Sequence, residues 1–250
     1  MKRVTSLVWA VVLLHGCAGA DPPPTEPAAP ATAAPAPSTA AAAACRNQEA
    51  VVADPSLRTG EPASGDVDGD GSVDSVAVHF DPEGDPGCQG FVVAESADGV
   101  IAGALETWRA DFGLPAPTVN TLKDVDGEPG LEVVVNMGAG ASAQFVGIVT
   151  AAGERLRQVT GEAGDNAVGE GLLGFGGSVG HLEAVDCVSG GGIVSSFAAP
   201  AGRSYRVERR FLVFEGTRLV EERVEVERTP LEEIDRFPEY AASPFGSCSG

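Results

Sequence analysis

Asp66-Val67-Asp68-Gly69-Asp70-Gly71-Ser72-Val73-Asp74 runs directly into Ser75-Val76-Ala77-Val78-His79-Phe80. Three carboxylates at alternate positions, a glycine and a fourth carboxylate make a compact set of oxygen donors for a hard cation. Calcium takes six to eight oxygens at short range. Asp66, Asp68, Asp70 and Asp74 supply side chains, and the Ser72 carbonyl can complete the ring. Gly71 stands where the chain has to bend sharply. A helix-loop-helix calcium site needs a bidentate Glu at the twelfth position, but Ala77 is there and a β-type run follows. The loop therefore feeds a strand. The competing reading of these residues is a solvated acidic turn.

Most of the pattern returns 58 positions later, as Asp124-Val125-Asp126-Gly127-Glu128-Pro129-Gly130-Leu131-Glu132 before Val133-Val134-Val135. A period of this size marks one supersecondary unit used more than once. Asp124, Asp126, Glu128 and Glu132 form a second, weaker candidate set. Pro129 stands where Gly71 stood, and proline cannot take a positive φ, so the turn is expected to be impaired. The alternative is a relic repeat kept only as a turn.

Short Val-rich runs separated by Gly, Asp and Pro clusters recur through the chain. Residues 73–80, 91–95, 131–137 and 145–150 read as strands. Tyr205–Phe214 and Arg218–Glu227 flank Glu215-Gly216-Thr217 as a hairpin, its second arm alternating Val224 and Val226 with charges. Thr229, Pro230 and Glu232 suggest a capped short turn over Leu231–Arg236. Trp108 and Phe112, near Arg109 and Asp111, read as core aromatics beneath a loop. The body is all-β.

Met1-Lys2-Arg3 followed by an apolar run from Val4 to Leu14 has the layout of a secretory signal and is too short to span a bilayer. It ends in Leu14-His15-Gly16-Cys17, which resembles the lipobox of bacterial lipoproteins, with His15 where a small residue is usual. The resemblance implies that residues 1–17 are a lipoprotein signal and that Cys17 is the lipidated residue. The other reading is an ordinary signal peptide cut nearby. Residues 18–44 are nearly all Ala, Pro, Thr and Ser, without an apolar face, and read as an extended tether. Residues 45–250 form the folded body, long enough for a real core.

The chain carries 16 Lys and Arg against 36 Asp and Glu. Loss of Lys2 and Arg3 with the signal leaves 14 − 36 = −22. Such a charge repels nucleic acid and anionic membrane surfaces, so the expected membrane contact is the lipid alone. Cys45, Cys88, Cys187 and Cys248, an even number in an exported chain, read as two disulfides. Three pairings are open. Cys45 with Cys248 would join the ends of the body.

The acidic loop followed by a strand resembles the FG-GAP and VCBS repeats of β-propeller blades, over Asp66–Phe80 and more weakly over Asp124–Met137. That implies an all-β small or partial β-propeller with structural Ca²⁺; a β-sandwich with acidic turns is the alternative. Gly177-Ser178-Val179-Gly180-His181-Leu182, Val185-Asp186-Cys187 and Phe245-Gly246-Ser247-Cys248 are similar to stretches in a family of exported proteins from high-GC Gram-positive bacteria, a resemblance that transfers no activity.

Catalytic patterns carry little. Gly176-Gly177-Ser178-Val179-Gly180 matches G-x-S-x-G, which requires a strand-turn-helix and a reachable histidine; only His181 follows, too close along the chain. Gly169-Glu170-Gly171-Leu172-Leu173-Gly174 matches G-x-G-x-x-G with no helix after it. His79 reads as a packed or solvated strand end. His181 with Glu183 and Asp186 reads as a structural histidine, or else as a metal site or acid-base pair. The expected function is a non-enzymatic, lipid-anchored protein on the outer face of the cell membrane, binding an envelope protein or glycan. A secreted metal-assisted hydrolase using Asp81, Glu83 and Asp85 is the rival, and a structural envelope protein is a third reading.

Overall fold

A computed structural model describes residues 45–108, 115–161, 171–178, 180–241 and 243–249. The signal, Cys17, the tether, Arg109, Asp111, Phe112, Gly169 and Glu170 lie outside the described residues. Two β-sheets dominate, and neither is closed. The first is an antiparallel meander of β1 (Arg58–Gly65), β2 (Asp74–Phe80), β3 (Gly90–Ser96) and β4 (Gly99–Ala104).

The second sheet contains β5 (Thr118–Lys123), β6 (Glu132–Ala139), β7 (Ala143–Ala151), β8 (Leu156–Gln158), β9 (Thr160–Gly161), β10 (Leu172–Ser178), β11 (His181–Cys187), β12 (Ile193–Ala201), β13 (Ser204–Glu215) and β14 (Arg218–Thr229). Its order is β5-β6-β7-β10-β11-β12-β13-β14-β9, with β8 also paired to β7. Among the described residues only the short β14–β9 contact is parallel.

The apolar pattern stacks these strands in three layers. In β6, Val133, Val135 and Met137 point into a core shared with Val76 and Val78 of β2 and Val92 and Ala94 of β3. Val134, between them, points the other way, into a core with Val185 of β11, Ile193 of β12 and Leu212 of β13. The layer β5–β8 is therefore buried on both faces, which is why its strand reads Val-Val-Val without alternation. Outside the first layer, α1 (Gln48–Ala53) packs Val51 against Phe91 and Val93. Outside the third, a 3₁₀ segment (Leu231–Arg236) and α2 (Pro238–Ala241) lay Phe237 on Ala198 and Val207.

The runs read as strands in the sequence lie within β2, β3, β6 and β7 or extend them by a residue, and the 205–227 hairpin turns at Glu215-Gly216-Thr217. The capping of the late turn differs from expectation. Pro230, not Thr229, occupies the N-cap position and makes no side-chain bond. Thr229 belongs to β14, where its hydroxyl is buried without a partner among the described residues. The cysteines pair as Cys45–Cys88 and Cys187–Cys248. Neither bond joins the ends of the body: Cys45 packs with α1 against the first layer, whereas Cys248 lies in the core between the second and third. Among the described residues no helix is long and apolar enough to cross a membrane.

Candidate metal centre

The first acidic loop closes the β1–β2 hairpin, whose last pair is Gly65 and Asp74. It is wound on its own carboxylates. Asp66 accepts the Gly69 N–H through Oδ1 at 2.8 Å and the Gly71 N–H through Oδ2 at 2.9 Å. Asp68 accepts from Asp70 N–H at 3.2 Å, Asp70 from Ser72 N–H at 2.6 Å, and Asp74 Oδ2 from Val67 N–H at 2.8 Å. Oxygens of Asp66, Asp68 and Asp74 lie within 4.8 Å of one another, so they can hold a metal ion. Asp70 is not in that group of side chains. Gly71 has φ +88°, the sharp bend its position demands.

Asp74 is the deepest of the three, 1 % exposed, and its Oδ1 is buried without a hydrogen-bond partner. A buried carboxylate oxygen left unpaired is costly. Desolvation, with repulsion from Asp74, Asp70 and Asp66, raises the Asp68 carboxyl above its ordinary range against a lowering hydrogen bond from Asp70 N–H. The loop thus concentrates negative charge that its own donors do not fully satisfy.

The second loop closes the β5–β6 hairpin and repeats these bonds 58 residues on. Asp124 accepts from Gly127 N–H at 2.9 Å, Asp126 from Glu128 N–H at 2.9 Å, and Glu132 Oε2 from Val125 N–H at 2.8 Å. Oxygens of Asp124, Asp126 and Glu132 also lie within 4.8 Å of one another, without Glu128. Pro129 does not prevent the turn, because Gly130 takes the positive φ instead, at +109°. What proline removes is the N–H that would match the Gly71 bond to Asp66. The loops differ more at their deep ends. Glu132, 3 % exposed, also uses its Oε1, accepting the Thr150 hydroxyl at 3.2 Å. Burial, with the charge of Asp126, pushes its carboxyl up to about 7, although hydrogen bonds from Val125, Asp126 and Thr150 pull it down.

The two loops touch. Leu131 N–H donates to the Asp66 carbonyl at 2.8 Å, and a Cβ on Gly69 would come within 2.8 Å of the Pro129 carbonyl oxygen. On its far side the second loop meets the third layer, where Gly192 N–H donates to the Val125 carbonyl at 2.9 Å and Asp124 N–H to the Ser249 carbonyl at 2.9 Å.

Thr150 was missed in the sequence because its role depends on cross-strand register. Val133 pairs with Val149, and only that pairing sets the lone hydroxyl at the end of an apolar run beside Glu132. The other candidates do not assemble into a metal group among the described residues. Asp81 Oδ1 accepts from Glu83 N–H at 3.0 Å, so Asp81, Glu83 and Asp85 form no cluster. His181 Nε2 lies 3.4 Å from Glu183 Oε1 and its ring stacks on Phe197, but Asp186 instead accepts Ser247 N–H at 2.8 Å and the Ser247 hydroxyl at 2.7 Å. His79 is buried, its Nδ1 3.0 Å from the Val51 carbonyl. Ser178 ends β10, where it pairs with His181 of β11, so the next described element is a strand. Trp108 is core, packed edge-on to Phe80.

Fold and site together define an all-β protein with two disulfides and two acidic clusters that can hold a metal ion. Compared with known proteins, the chain matches no family model, no curated protein and no solved structure.

Proposed function

We propose that this is an exported, lipid-anchored protein whose calcium-stabilised β body binds a macromolecule or glycan outside the cell membrane and catalyses no reaction. The observation that carries the metal part is the unpartnered, buried Asp74 Oδ1 beside Asp66 and Asp68. An all-oxygen donor set suits Ca²⁺ better than Mg²⁺, which demands a tighter octahedral shell. Asp66, Asp68 and Asp74 would hold the ion, and its charge would offset the repulsion among them. The second loop is the weaker site, since Thr150 and Val125 already occupy Glu132.

The blade reading has support of its own. The layers β1–β4 and β5–β8 carry their acidic loops at the same strand connection, 58 residues apart, and stack face to face with a third antiparallel layer behind. That favours a partial propeller of repeated units over a two-layer sandwich. Export and anchoring rest on the signal layout, on Cys17 and on the two disulfides, which persist in oxidising compartments.

The test is thermal unfolding with calcium and with excess chelator. At a hundredfold excess over the dissociation constant, calcium should stabilise the protein by about 2.7 kcal/mol. Asp68→Ala or Asp74→Asn should abolish most of the rise in Tm, Asp126→Ala should remove little, and magnesium should substitute poorly. Identical melting curves in calcium and chelator would remove the metal. Anchoring has a separate readout: Cys17→Ala should release the protein from the membrane fraction or leave it unprocessed, and native protein with an unmodified N-terminus elsewhere would refute the anchor.

A further inference from the structure

The β13–β14 hairpin leaves an edge open. β13 holds β14 along one side from Arg218 to Thr229, whereas β9 reaches only Arg218 and Leu219 on the other. Beyond Leu219 the outer edge of β14 has no partner strand among the described residues, and residues 221–228 are all exposed. An unpaired edge is a template for another strand. Val224 and Val226, 41 % and 54 % exposed, lie on one face of it.

Edges are commonly protected by charge, and the charges here are of both signs. Along residues 221–228 two arginines stand among four glutamates, a net −2, so cross-strand pairs of opposite charge can form even in a chain of net charge −20. The strip is self-complementary in one antiparallel register. With a twofold axis through Glu225, Val224 lies opposite the partner's Val226 and Arg223 opposite the partner's Glu227, each twice. The one like-charged pair is Glu225 with the partner's Glu225, and each of those carboxylates is already held, by Arg209 at 3.0 Å and Arg223 at 3.2 Å.

Neighbouring registers are worse. An axis through Val226 sets Glu225 against the partner's Glu227 twice, and one through Val224 pairs Arg223 with the partner's Glu225 but shortens the matched strip to residues 223–225, because the bulge at Glu222 ends it. Apolar and opposite-charge cross-strand pairs stabilise a sheet, while like charges directly opposite destabilise it. We propose that the outer edge of β14 pairs antiparallel with the same edge of a second copy of this chain, about a twofold axis through Glu225. The bulge at Glu222, where the register with β13 shifts, ends the matched strip at Arg223. So short a strip gives a small contact and hence a weak, reversible dimer.

The inference is independent of the metal and of the anchor. It is tested on the full chain by sedimentation over micromolar to submillimolar concentrations. The unaltered chain should associate to a dimer, and Val226→Lys should weaken association by about tenfold or more. Arg223→Glu alone sets Glu against Glu, and Glu227→Arg alone sets Arg against Arg, so each should sediment as a monomer. An equimolar mixture of the two variants should dimerise again, because both 223–227 pairs then have opposite charges, which a purely structural effect of either change would not produce. Glu225→Cys should form an intermolecular disulfide, since opposed Cα atoms of an antiparallel pair are spaced for one; this arm holds even where a charge variant folds poorly. A monomer at every concentration, dimeric single-charge variants, or a mixture that stays monomeric would overturn the proposal.

Discussion

Glu132 is held where a carboxylate is costly, between the Val125 N–H and the Thr150 hydroxyl and out of water. In the unfolded chain the group titrates near its ordinary 4.5, and in the folded one at about 7. Between those values the folded state keeps a proton that the unfolded state releases. Stability should therefore fall as pH rises through this window, by up to about 3 kcal/mol, when no metal is bound. Denaturant unfolding between pH 4.5 and 7 in excess chelator should show the decline, and Glu132→Gln should flatten it. A decline equally steep in that variant would assign the titration to another group. Asp66, Asp68 and Asp74 were legible in the sequence because alternate acids around a glycine constrain one another locally. That Asp70 accepts the Ser72 N–H and that Glu132 has a hydroxyl partner were not, since both depend on which groups the folded loop brings near.

Elements were legible where both faces of a strand are apolar, as in β2, β3, β6 and β7. β4, β8, β10 and β12 were not, because glycines and short polar stretches interrupt their patterns and sheet neighbours alone define them. Gly103 in β4 shows what such a glycine does. Its φ is ordinary, but a Cβ there would run into the Leu156 carbonyl of β8 on the facing layer. The residue sets how closely the first two layers approach. Gly103→Ala should destabilise the protein by about 1–3 kcal/mol through forced separation, whereas Gly153→Ala, with open space around its Cβ, should lose only what its φ of +63° costs. Chemical unfolding of the two variants measures the difference, and equal losses would mean that the β4–β8 approach is slack. The late turn fails in the other direction. Thr229, Pro230 and Glu232 satisfy a local capping rule, yet β13 pairing draws Thr229 into the sheet, so a tertiary contact outweighs a local preference.

Across the whole molecule the repeat predicts that units recur but not how they stack, because stacking depends on the faces that neighbouring layers present. The cysteines follow the stack. Cys45–Cys88 fastens the α1 side to the first layer, and Cys187–Cys248 fastens the C-terminal segment to the third, beside the second acidic loop. Through that segment the third layer reaches the loop, by way of the Asp124 N–H bond to Ser249 and the Lys123 Nζ contact with the Cys248 carbonyl at 3.5 Å. The bond closes a span of 61 residues, so its loss should cost about 2–5 kcal/mol, chiefly by freeing the unfolded chain. The effect should also be local. In a Cys187→Ser, Cys248→Ser double variant, hydrogen exchange should speed up at Asp124 and Gly192, whose N–H groups depend on this junction, while amides of the first loop keep their protection. The calcium-dependent rise in Tm should persist, because Asp66, Asp68 and Asp74 sit on the far side of the β5–β8 layer. Removing Cys45 and Cys88 should reverse the pattern, loosening the region around α1 and β3 and sparing the C-terminal segment. If either variant exchanged uniformly faster throughout, the layers would be one cooperative unit and each disulfide would act only through the unfolded chain.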